Sequence, residues 1–336
     1  MSFKVAALAS AAVLALAAGS ASAADLACLI TKNNTNPFFV KMKEGAEAGA
    51  TAAGLDFQAY AGITDGDAAP QITAIENCVA AGAKGILITP SNDTVAPALK
   101  AAREAGILVI ALDTPLADAE AQDMTFATDN FEAGLLIGKW AAATLGAEAA
   151  NAKIAMLDID KQNISVDVAR DTGFLVGFGI EVPDLTVLGS ETDPRVIGHE
   201  TTMATVDGGL TAMETLLAKD PDINVVYTIN EPAAEGAFQA LKAAGKEGVL
   251  VVSVDGGCPG IAGVKDGTIG ATSQQYPMLM ASKGIEAIAA YAKDGTKPTA
   301  SEGLSFFNTG VNLVTDKPVE GVESIDSTKG TELCWG

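Results

Sequence analysis

One nine-residue stretch, Thr31 to Phe39, combines groups suited to gripping a polyhydroxylated molecule. It reads Thr-Lys-Asn-Asn-Thr-Asn-Pro-Phe-Phe and offers one cation, three carboxamides, two hydroxyls and two adjacent aromatic rings. The stretch follows an apolar run, Leu26 to Ile30, and therefore lies where a predicted strand passes into a predicted helix. This combination predicts one wall of a binding site for a small polyol.

Further polar residues follow other apolar runs. Asp113 follows the run 107–112, Asn230 follows 225–229 and Asp255 follows 249–254. In parallel α/β sheets, ligands bind beyond the carboxyl ends of the strands. Because Asp113 belongs to the first half of the chain and Asp255 to the second, we expect them to line one cleft from opposite sides.

The chemistry of an enzyme is not apparent in the sequence. The only histidine, His199, falls in a predicted helix, and the chain has no GxSxG elbow and no phosphate-binding glycine motif. Asp113 and Asp255 could form a glycosidase pair, but carboxylates at strand ends more often accept hydroxyls or cap helices. We therefore expect binding without turnover, with no cofactor and no metal, and structural roles for His199 and Trp140.

Short apolar runs alternate with alanine-rich helical stretches throughout the chain. Strands are predicted at 26–30, 55–60, 85–89, 107–112, 124–128, 153–157, 185–189, 225–229, 249–254 and 268–273, and helices near 37–53, 67–81, 92–105, 130–145, 163–179, 199–218, 231–244, 257–266 and 277–293. Unbroken apolar strands are typical of parallel sheets covered by helices on both faces. The pattern repeats in the two halves, which predicts an α/β protein of two similar doubly wound lobes.

The N-terminus and the charge predict an exported protein. Residues 1–23 have a basic start, an apolar run and an Ala-Ser-Ala end, so we expect a signal peptide cleaved before Ala24. Lipid attachment at Cys28 is the alternative, but Asp25 occupies the position that this signal needs apolar. A formal charge of −21 argues against nucleic acid or anionic lipid as partners.

The four cysteines, Cys28, Cys78, Cys258 and Cys334, lie far apart and form no CxxC motif. We favour disulfides between Cys28 and Cys78 and between Cys258 and Cys334, because Cys28 falls in the first strand and Cys78 in the helix crossing it. Buried free thiols at the first pair remain the alternative.

In order and spacing, several short motifs resemble those of periplasmic sugar-binding proteins of the ribose-binding type, and most closely fructose-binding members. The resemblance covers nearly all of the chain after residue 23. Its markers are Asn36-Pro37-Phe38-Phe39-Val40 followed by Lys43, Gly45 and Ala46, then Leu112-Asp113, Thr128-Asp129-Asn130, Arg170 before Gly173-Phe174, Thr228 to Glu231, Val254-Asp255-Gly256 and Gln275-Tyr276-Pro277.

The resemblance implies a set of ligand-binding residues, namely Lys32, Asn36, Phe38, Phe39, Asp113, Arg170, Asn230, Asp255 and Gln275. Each has a structural alternative: a helix cap for Asn36, core packing for the two rings, a surface ion pair near Asp171 for Arg170, and caps or turns for the others. Thr114 stands where ribose binders often have arginine, which counts against ribose as the ligand.

The resemblance also implies a type I periplasmic binding protein in which two lobes close on a hinge. The expected lobes are 24–128 plus 276–308 and 129–275 plus 309–336, with Asp129 and Asn130 at the first of three crossings. The implied function is binding of a monosaccharide, with fructose favoured, by a monomeric periplasmic component of an ABC importer that docks on an inner-membrane permease. Ribose, another pentose or a polyol, or a receptor role in chemotaxis or quorum signalling, are the alternatives.

Overall fold

A computed structural model describes residues 24–336, so the predicted signal peptide lies outside the described residues. Two six-stranded sheets form the framework. Their strand orders are β11-β5-β4-β3-β1-β2 and β12-β10-β9-β8-β6-β7. The two orders correspond position by position, so that β6 in the second sheet takes the position of β1 in the first, and likewise up to β10, which takes the position of β5. The predicted internal repeat is thus a repeat of sheet topology. The one departure is β12, which pairs antiparallel with β10, whereas β11 pairs parallel with β5.

The strands are β1 Leu26–Thr31, β2 Asp56–Ala61, β3 Gly85–Ile88, β4 Leu108–Leu112, β5 Met124–Ala127, β6 Ile154–Asp158, β7 Val196–Thr201, β8 Val225–Thr228, β9 Leu250–Asp255, β10 Ala271–Gln274, β11 Phe307–Asn308 and β12 Asn312–Val314. The α-helices are α1 Pro37–Ala53, α2 Ala69–Ala80, α3 Ala96–Glu104, α4 Asn130–Leu145, α5 Ser165–Gly177, α6 Val206–Lys219, α7 Glu231–Ala243, α8 Cys258–Asp266, α9 Pro277–Asp294 and α10 Ser327–Leu333. Within the described residues, no helix is long and apolar enough to span a membrane.

The central strands are buried on both faces, as their unbroken apolar sequences predict. Every residue of β3, β4, β6 and β8 is buried. Helices end where the sequence places glycine: Gly82 has φ 72° and Gly106 has φ 85°, values that a glycine adopts without steric cost. These abrupt helix ends return the chain to the next strand and align the strand ends at one edge of each sheet.

One predicted strand was wrong. Residues 185–189 form no strand, and Leu185 is 50% exposed. The strand is instead β7, which was taken for the start of a helix, so His199 lies in a strand. Edge strand β7 reads Val-Ile-Gly-His-Glu-Thr and is only half-buried, so it lacks the apolar character of the central strands. Strands β11 and β12 and helix α10 were not predicted.

Between residues 24 and 336, the chain passes from one sheet to the other three times. The first crossing leads from β5 to α4, which packs on β9 and β10 of the second sheet. The second leads from β10 to α9, which packs on β3, β4 and β5 of the first sheet, and the third leads from β11 to β12. Thr128 Oγ1 donates to Gly310 O at 3.4 Å and so joins the first crossing to the third. Disulfides link Cys28 to Cys78 and Cys258 to Cys334.

Candidate functional site

A small pocket lies between the two sheets, at the carboxyl ends of their strands. All nine sequence-predicted residues line it, together with Asp65, Ile159, Val166, Ala204 and Ile229. Its free volume is about 30 Å³, far below the roughly 300–1,000 Å³ of typical small-molecule pockets. A monosaccharide therefore requires these side chains, or the lobes that carry them, to move apart.

A larger groove adjoins this pocket. Its volume is about 1000 Å³, and it shares Asn36, Asp65, Ala204 and Asp255 with the small pocket. Both lobes contribute residues to its walls, including Ile63 from the loop after β2 and Phe238 from α7. The four shared residues place the groove directly beside the small pocket.

The stretch from Thr31 to Phe39 forms one wall of the pocket. Asn36 is the N-cap of α1, since its Oδ1 accepts from the Phe38 amide at 3.0 Å, and Pro37 is the first helical residue. Asn36 also lines the pocket, so capping and a place in the site coexist. The Phe38 and Phe39 rings meet edge to face with centroids 5.5 Å apart, and both belong to the core cluster as well as to the pocket.

Asp113 and Asp255 stand at corresponding ends of β4 and β9 in the two sheets. Asp113 has φ 63° and Asp255 has φ 139°, backbone conformations that L-residues rarely adopt. Such strain persists where the surroundings over-determine it, and it is common at binding sites. These backbone conformations direct the two buried carboxylates toward the space between the lobes.

Arg170 lies between these two carboxylates. Its Nη2 is 3.6 Å from Asp113 Oδ1 and its Nη1 is 3.8 Å from Asp255 Oδ1. The guanidinium is fixed from behind, because Nε donates to Asn130 Oδ1 at 2.7 Å and Nη1 to the Ile229 carbonyl at 3.1 Å. With only 5% of its surface exposed, Arg170 is not a surface helix residue.

Gln275 orients the second carboxylate. Its Nε2 donates to Asp255 Oδ1 at 2.9 Å, and its own Oε1 is buried with no hydrogen-bond partner among the described residues. Burial raises the pKa of Asp255 to about 7, with Arg170 opposing the shift and Asp113 adding to it. The site thus contains an acceptor, Gln275 Oε1, without a partner among the described residues, and a carboxyl group, that of Asp255, which titrates near neutral pH.

Asn230 and Lys32 complete the predicted set. Asn230 caps α7 through an Oδ1 contact to the Ala233 amide at 3.0 Å, while its Nδ2 donates to the Ala204 carbonyl at 3.2 Å. The Lys32 side chain is almost fully buried, with 2% exposure, at the end of β1. A buried ammonium needs polar partners, so Lys32 places a strong donor group in the pocket wall.

Glu231 stabilises the backbone directly after Asp255. Its carboxylate accepts from the amides of Gly256 and Gly257 and from Thr272 Oγ1, at 2.8 to 2.9 Å. Burial and the nearby Asp255 charge raise the pKa of Glu231 to about 8. Glu231 thereby fixes the turn that follows Asp255.

Sequence reasoning missed Asp65 and Trp335. Asp65 lies in the loop after β2, where its Oδ1 accepts from Asn33 Nδ2 at 2.6 Å, and no strand-end pattern marks it. Trp335 packs edge to face on Phe38 at 5.4 Å and donates to the Gln275 carbonyl at 2.9 Å. Trp140 is fully buried and donates to the Lys317 carbonyl, which is a structural role.

Comparisons with known proteins agree with this architecture. The periplasmic binding protein domain family matches residues 27–297. The ribose import binding protein of Escherichia coli is 32% identical over 288 residues, covering 84% of this chain and 90% of that protein, and that of Haemophilus influenzae is 34% identical over 284 residues, covering 84% and 91%.

Solved structures show the same fold. A periplasmic ribose ABC transporter protein from Conexibacter woesei has a TM-score of 0.70 at 26% identity, covering 88% of this chain and 94% of that one. A solute-binding protein from Actinobacillus succinogenes with bound D-allose has a TM-score of 0.75 at 22% identity, covering 92% and 99%. The chain therefore belongs to the periplasmic binding proteins of type I fold, in the sugar-binding group of the ribose type.

Proposed function

We propose that this protein is the periplasmic substrate-binding component of an ABC importer and that it binds a monosaccharide, with fructose favoured, between its two lobes. The observation that carries the proposal is the meeting of Asp113, Arg170 and Asp255 in one buried pocket beside two aromatic rings. Carboxylates and a guanidinium form charge-assisted hydrogen bonds with sugar hydroxyls, and ring faces stack on the apolar face of a pyranose or furanose.

Each lobe contributes residues to the proposed sugar site. Asp113, Lys32 and the two phenylalanine rings come from residues 24–128, whereas Arg170, Asn230 and Asp255 come from residues 129–275. A ligand that contacts both lobes favours the closed state by its higher affinity for that state. The lobes, 24–128 plus 276–308 and 129–275 plus 309–336, close about the crossings at Asp129–Asn130, near Gln275 and at 308–310. The protein acts as a monomer, and its closed form is what an inner-membrane permease recognises.

Ribose is the second candidate, because the curated relatives that match at 32–34% identity are ribose import binding proteins. Against ribose stands Thr114, whose hydroxyl donates to Asp113 Oδ2 at 2.8 Å. The position after the strand-end aspartate thus supplies one neutral donor that is already engaged, instead of the five-donor fork of an arginine.

Calorimetry on protein stripped of ligand tests the assignment. The protein is unfolded in denaturant, dialysed, refolded and titrated with fructose, ribose, allose and myo-inositol. Submicromolar binding of fructose with at least tenfold weaker binding of the others supports the proposal. Tighter binding of ribose reverses the order of the two candidates, and no binding of any of these compounds refutes a sugar site of this class.

A further inference from the structure

A second group of ionisable side chains lies in the lobe of β6 to β10, outside the sugar pocket. It consists of Asp158 at the end of β6, Asp167 and Asp171 on α5, Glu191 in the loop before β7, and His199 in β7; we call it the His199 cluster. His199 Nδ1 is 2.8 Å from Asp158 Oδ2 and 3.5 Å from Asp171 Oδ2, and Nε2 is 2.9 Å from Glu191 Oε1.

The cluster brings four carboxyl groups, those of Asp158, Asp167, Asp171 and Glu191, together with one imidazole. Asp171 is fully buried, and neither of its oxygens has a hydrogen-bond partner among the described residues. One oxygen each of Asp158, Asp167 and Glu191 is likewise buried without a partner. Burying carboxyl oxygens without partners is unfavourable, and a bound cation would offset that cost by contacting them directly.

We propose that the His199 cluster is a binding site for a divalent cation of the zinc class, held by His199 Nδ1, Asp158 Oδ2 and Asp171 Oδ2. These three atoms lie within 4.8 Å of one another. Ligand atoms about 2.1 Å from a tetrahedral zinc ion lie about 3.4 Å apart, so the observed spacings of 2.8 and 3.5 Å need only small adjustments. The site leaves a fourth position for water.

The residues around these ligands fit a metal centre. A metal-bound histidine usually donates its other ring N–H to a carboxylate, and Glu191 stands at that position on Nε2. Asp167 Oδ2 accepts from the Ile159 amide at 2.8 Å and so fixes the backbone directly after Asp158. The Asp171 carboxylate has no such backbone contact among the described residues, and its Oδ2 lies 3.5 Å from the same Nδ1 atom that faces Asp158.

The donor set decides the class of cation. One imidazole nitrogen with two carboxylate oxygens suits zinc or a similar transition metal, whereas calcium and magnesium prefer oxygen ligands alone. On binding, the metal takes the place of the Nδ1 proton, which passes to the solvent.

An ion can reach the site from the surface. The His199 side chain is 21% exposed, while Asp158 and Asp171 lie beneath it at 4% and 0%. Helix α5 joins this site to the sugar pocket, since Val166 and Arg170 line the pocket while Asp167 and Asp171 face the cluster. The cation site therefore lies directly behind the arginine of the pocket, yet its existence does not depend on which sugar is bound.

Nuclear magnetic resonance offers a direct test, because His199 is the only histidine of the chain. Untagged protein is treated with chelator, dialysed and titrated with zinc chloride at pH 7.5 while the carbon-bound protons of the imidazole are observed. We expect both signals to move or be replaced with an endpoint at one equivalent, and calorimetry to give a Kd of 10 µM or tighter. Unchanged imidazole signals at a fivefold excess of zinc overturn the proposal.

Two variants assign the ligands. Asp171→Asn keeps the shape of the side chain and is expected to weaken zinc binding at least thirtyfold, whereas the exposed Asp266→Asn in the same lobe leaves it unchanged. Circular dichroism checks that these two variants and His199→Gln fold. If Asp171→Asn and His199→Gln bind zinc as tightly as the unmodified protein, the ion is held elsewhere and the cluster is only a protonated histidine among carboxylates. Manganese, calcium and magnesium chlorides are compared in the same way, and tighter binding of calcium than zinc contradicts the assigned class.

Discussion

Arg170 and Asn130 are joined by a 2.7 Å hydrogen bond from Nε to Oδ1. Arg170 belongs to α5, whereas Asn130 begins α4 directly after the chain has crossed from one sheet to the other. Asn130 also donates to the Thr128 carbonyl at 3.2 Å within that crossing. The pocket arginine is thus held by a residue of the proposed hinge, and a change at that residue is expected to alter the position of the guanidinium.

Removing this link is expected to weaken sugar binding. Asn130→Ala deletes the acceptor of Arg170 Nε and leaves a buried charged donor unpaired, which costs about 1–3 kcal/mol. We expect affinity for the preferred sugar to fall about tenfold by calorimetry. Asn130→Asp retains an acceptor at this position and should lose less affinity than the alanine variant. Equal affinities of Asn130→Ala and the unmodified protein would show that the guanidinium does not need this contact.

Arg170→Lys tests whether the planar fork matters rather than the charge alone. A lysine ammonium cannot reproduce the simultaneous contacts to Asn130 and to the Ile229 carbonyl while facing Asp113 and Asp255. We expect sugar affinity to decrease more than tenfold. The matched control is Arg103→Lys, which alters an ion pair with Asp123 on the first lobe, away from the pocket, and should bind normally. Normal binding by Arg170→Lys would show that the positive charge at this position is sufficient and that the planar guanidinium is not required.

Asp113→Ala tests the acceptor from the other lobe. Asp113 Oδ1 is buried with no hydrogen-bond partner among the described residues, so it is free to accept ligand hydroxyls. Its removal leaves those hydroxyls without this charged acceptor and leaves Arg170 with Asp255 as its remaining carboxylate neighbour in the pocket, and a loss of more than tenfold in affinity is expected. Asp118→Ala, which alters a partly exposed aspartate paired with Lys100, serves as the control. Undiminished affinity in the Asp113 variant would exclude this carboxylate from the ligand contacts.

Particular residues show what the sequence could predict. Asp113, Asn230 and Asp255 were found because parallel strands end at a common edge, a rule that needs only the strand assignments. Arg170 and Gln275 depended on family resemblance, since nothing in their local sequence distinguishes them from surface helix or turn residues. Trp335 reaches the pocket region only because the last residues fold back against α1 and α8, a tertiary contact that has no local signal.

The His199 cluster shows a further limit of sequence reasoning. Asp167 and Asp171 are four residues apart and therefore share one face of α5, a spacing that is visible in the sequence. Their partner His199 was assigned to a helix, because edge strand β7 lacks the apolar run that marks central strands. Without the correct strand, the imidazole could not be placed beside Asp158, the residue that pairs with Thr201 across β6 and β7.

The pH dependence of stability follows from Glu231. Burial raises its pKa from an ordinary 4.5 to about 8, so between these values the folded protein holds a proton that the unfolded chain releases. The contribution of Glu231 to the free energy of unfolding is therefore fully present below pH 4.5 and is lost as the pH rises through 8, with a slope of up to about 1.4 kcal/mol per pH unit.

Urea unfolding of ligand-free protein at pH 5 and pH 8 measures this contribution. Residue 231 cannot titrate in the Glu231→Gln variant. Relative to this variant, the unmodified protein should therefore have a larger free energy of unfolding at pH 5 than at pH 8. Glu235→Gln, an exposed change on the same helix, should show a difference that does not vary with pH. A Glu231→Gln difference that is constant from pH 5 to 8 would contradict a raised pKa.

The close approach of α4 and α5 gives the last prediction. A Cβ added at Gly134 would lie 2.0 Å from the Arg170 carbonyl oxygen, and one at Gly138 would lie 2.2 Å from that of Phe174, so the two backbones meet without room for a side chain. In an unobstructed helix, glycine to alanine stabilises by about 1 kcal/mol. Here overpacking should outweigh that gain and destabilise by about 1–3 kcal/mol in either variant, as measured by urea unfolding.

The two glycines differ in what else they should affect. Gly134 contacts the turn of α5 that carries Arg170, so Gly134→Ala should displace the guanidinium and weaken sugar binding as well as stability. Gly138 contacts α5 one turn farther from the pocket, at Phe174, so Gly138→Ala should lose stability with a smaller change in affinity. Stabilisation by either substitution would show that the helices can move apart at little cost, and α5 would then not be a rigid support for the pocket arginine.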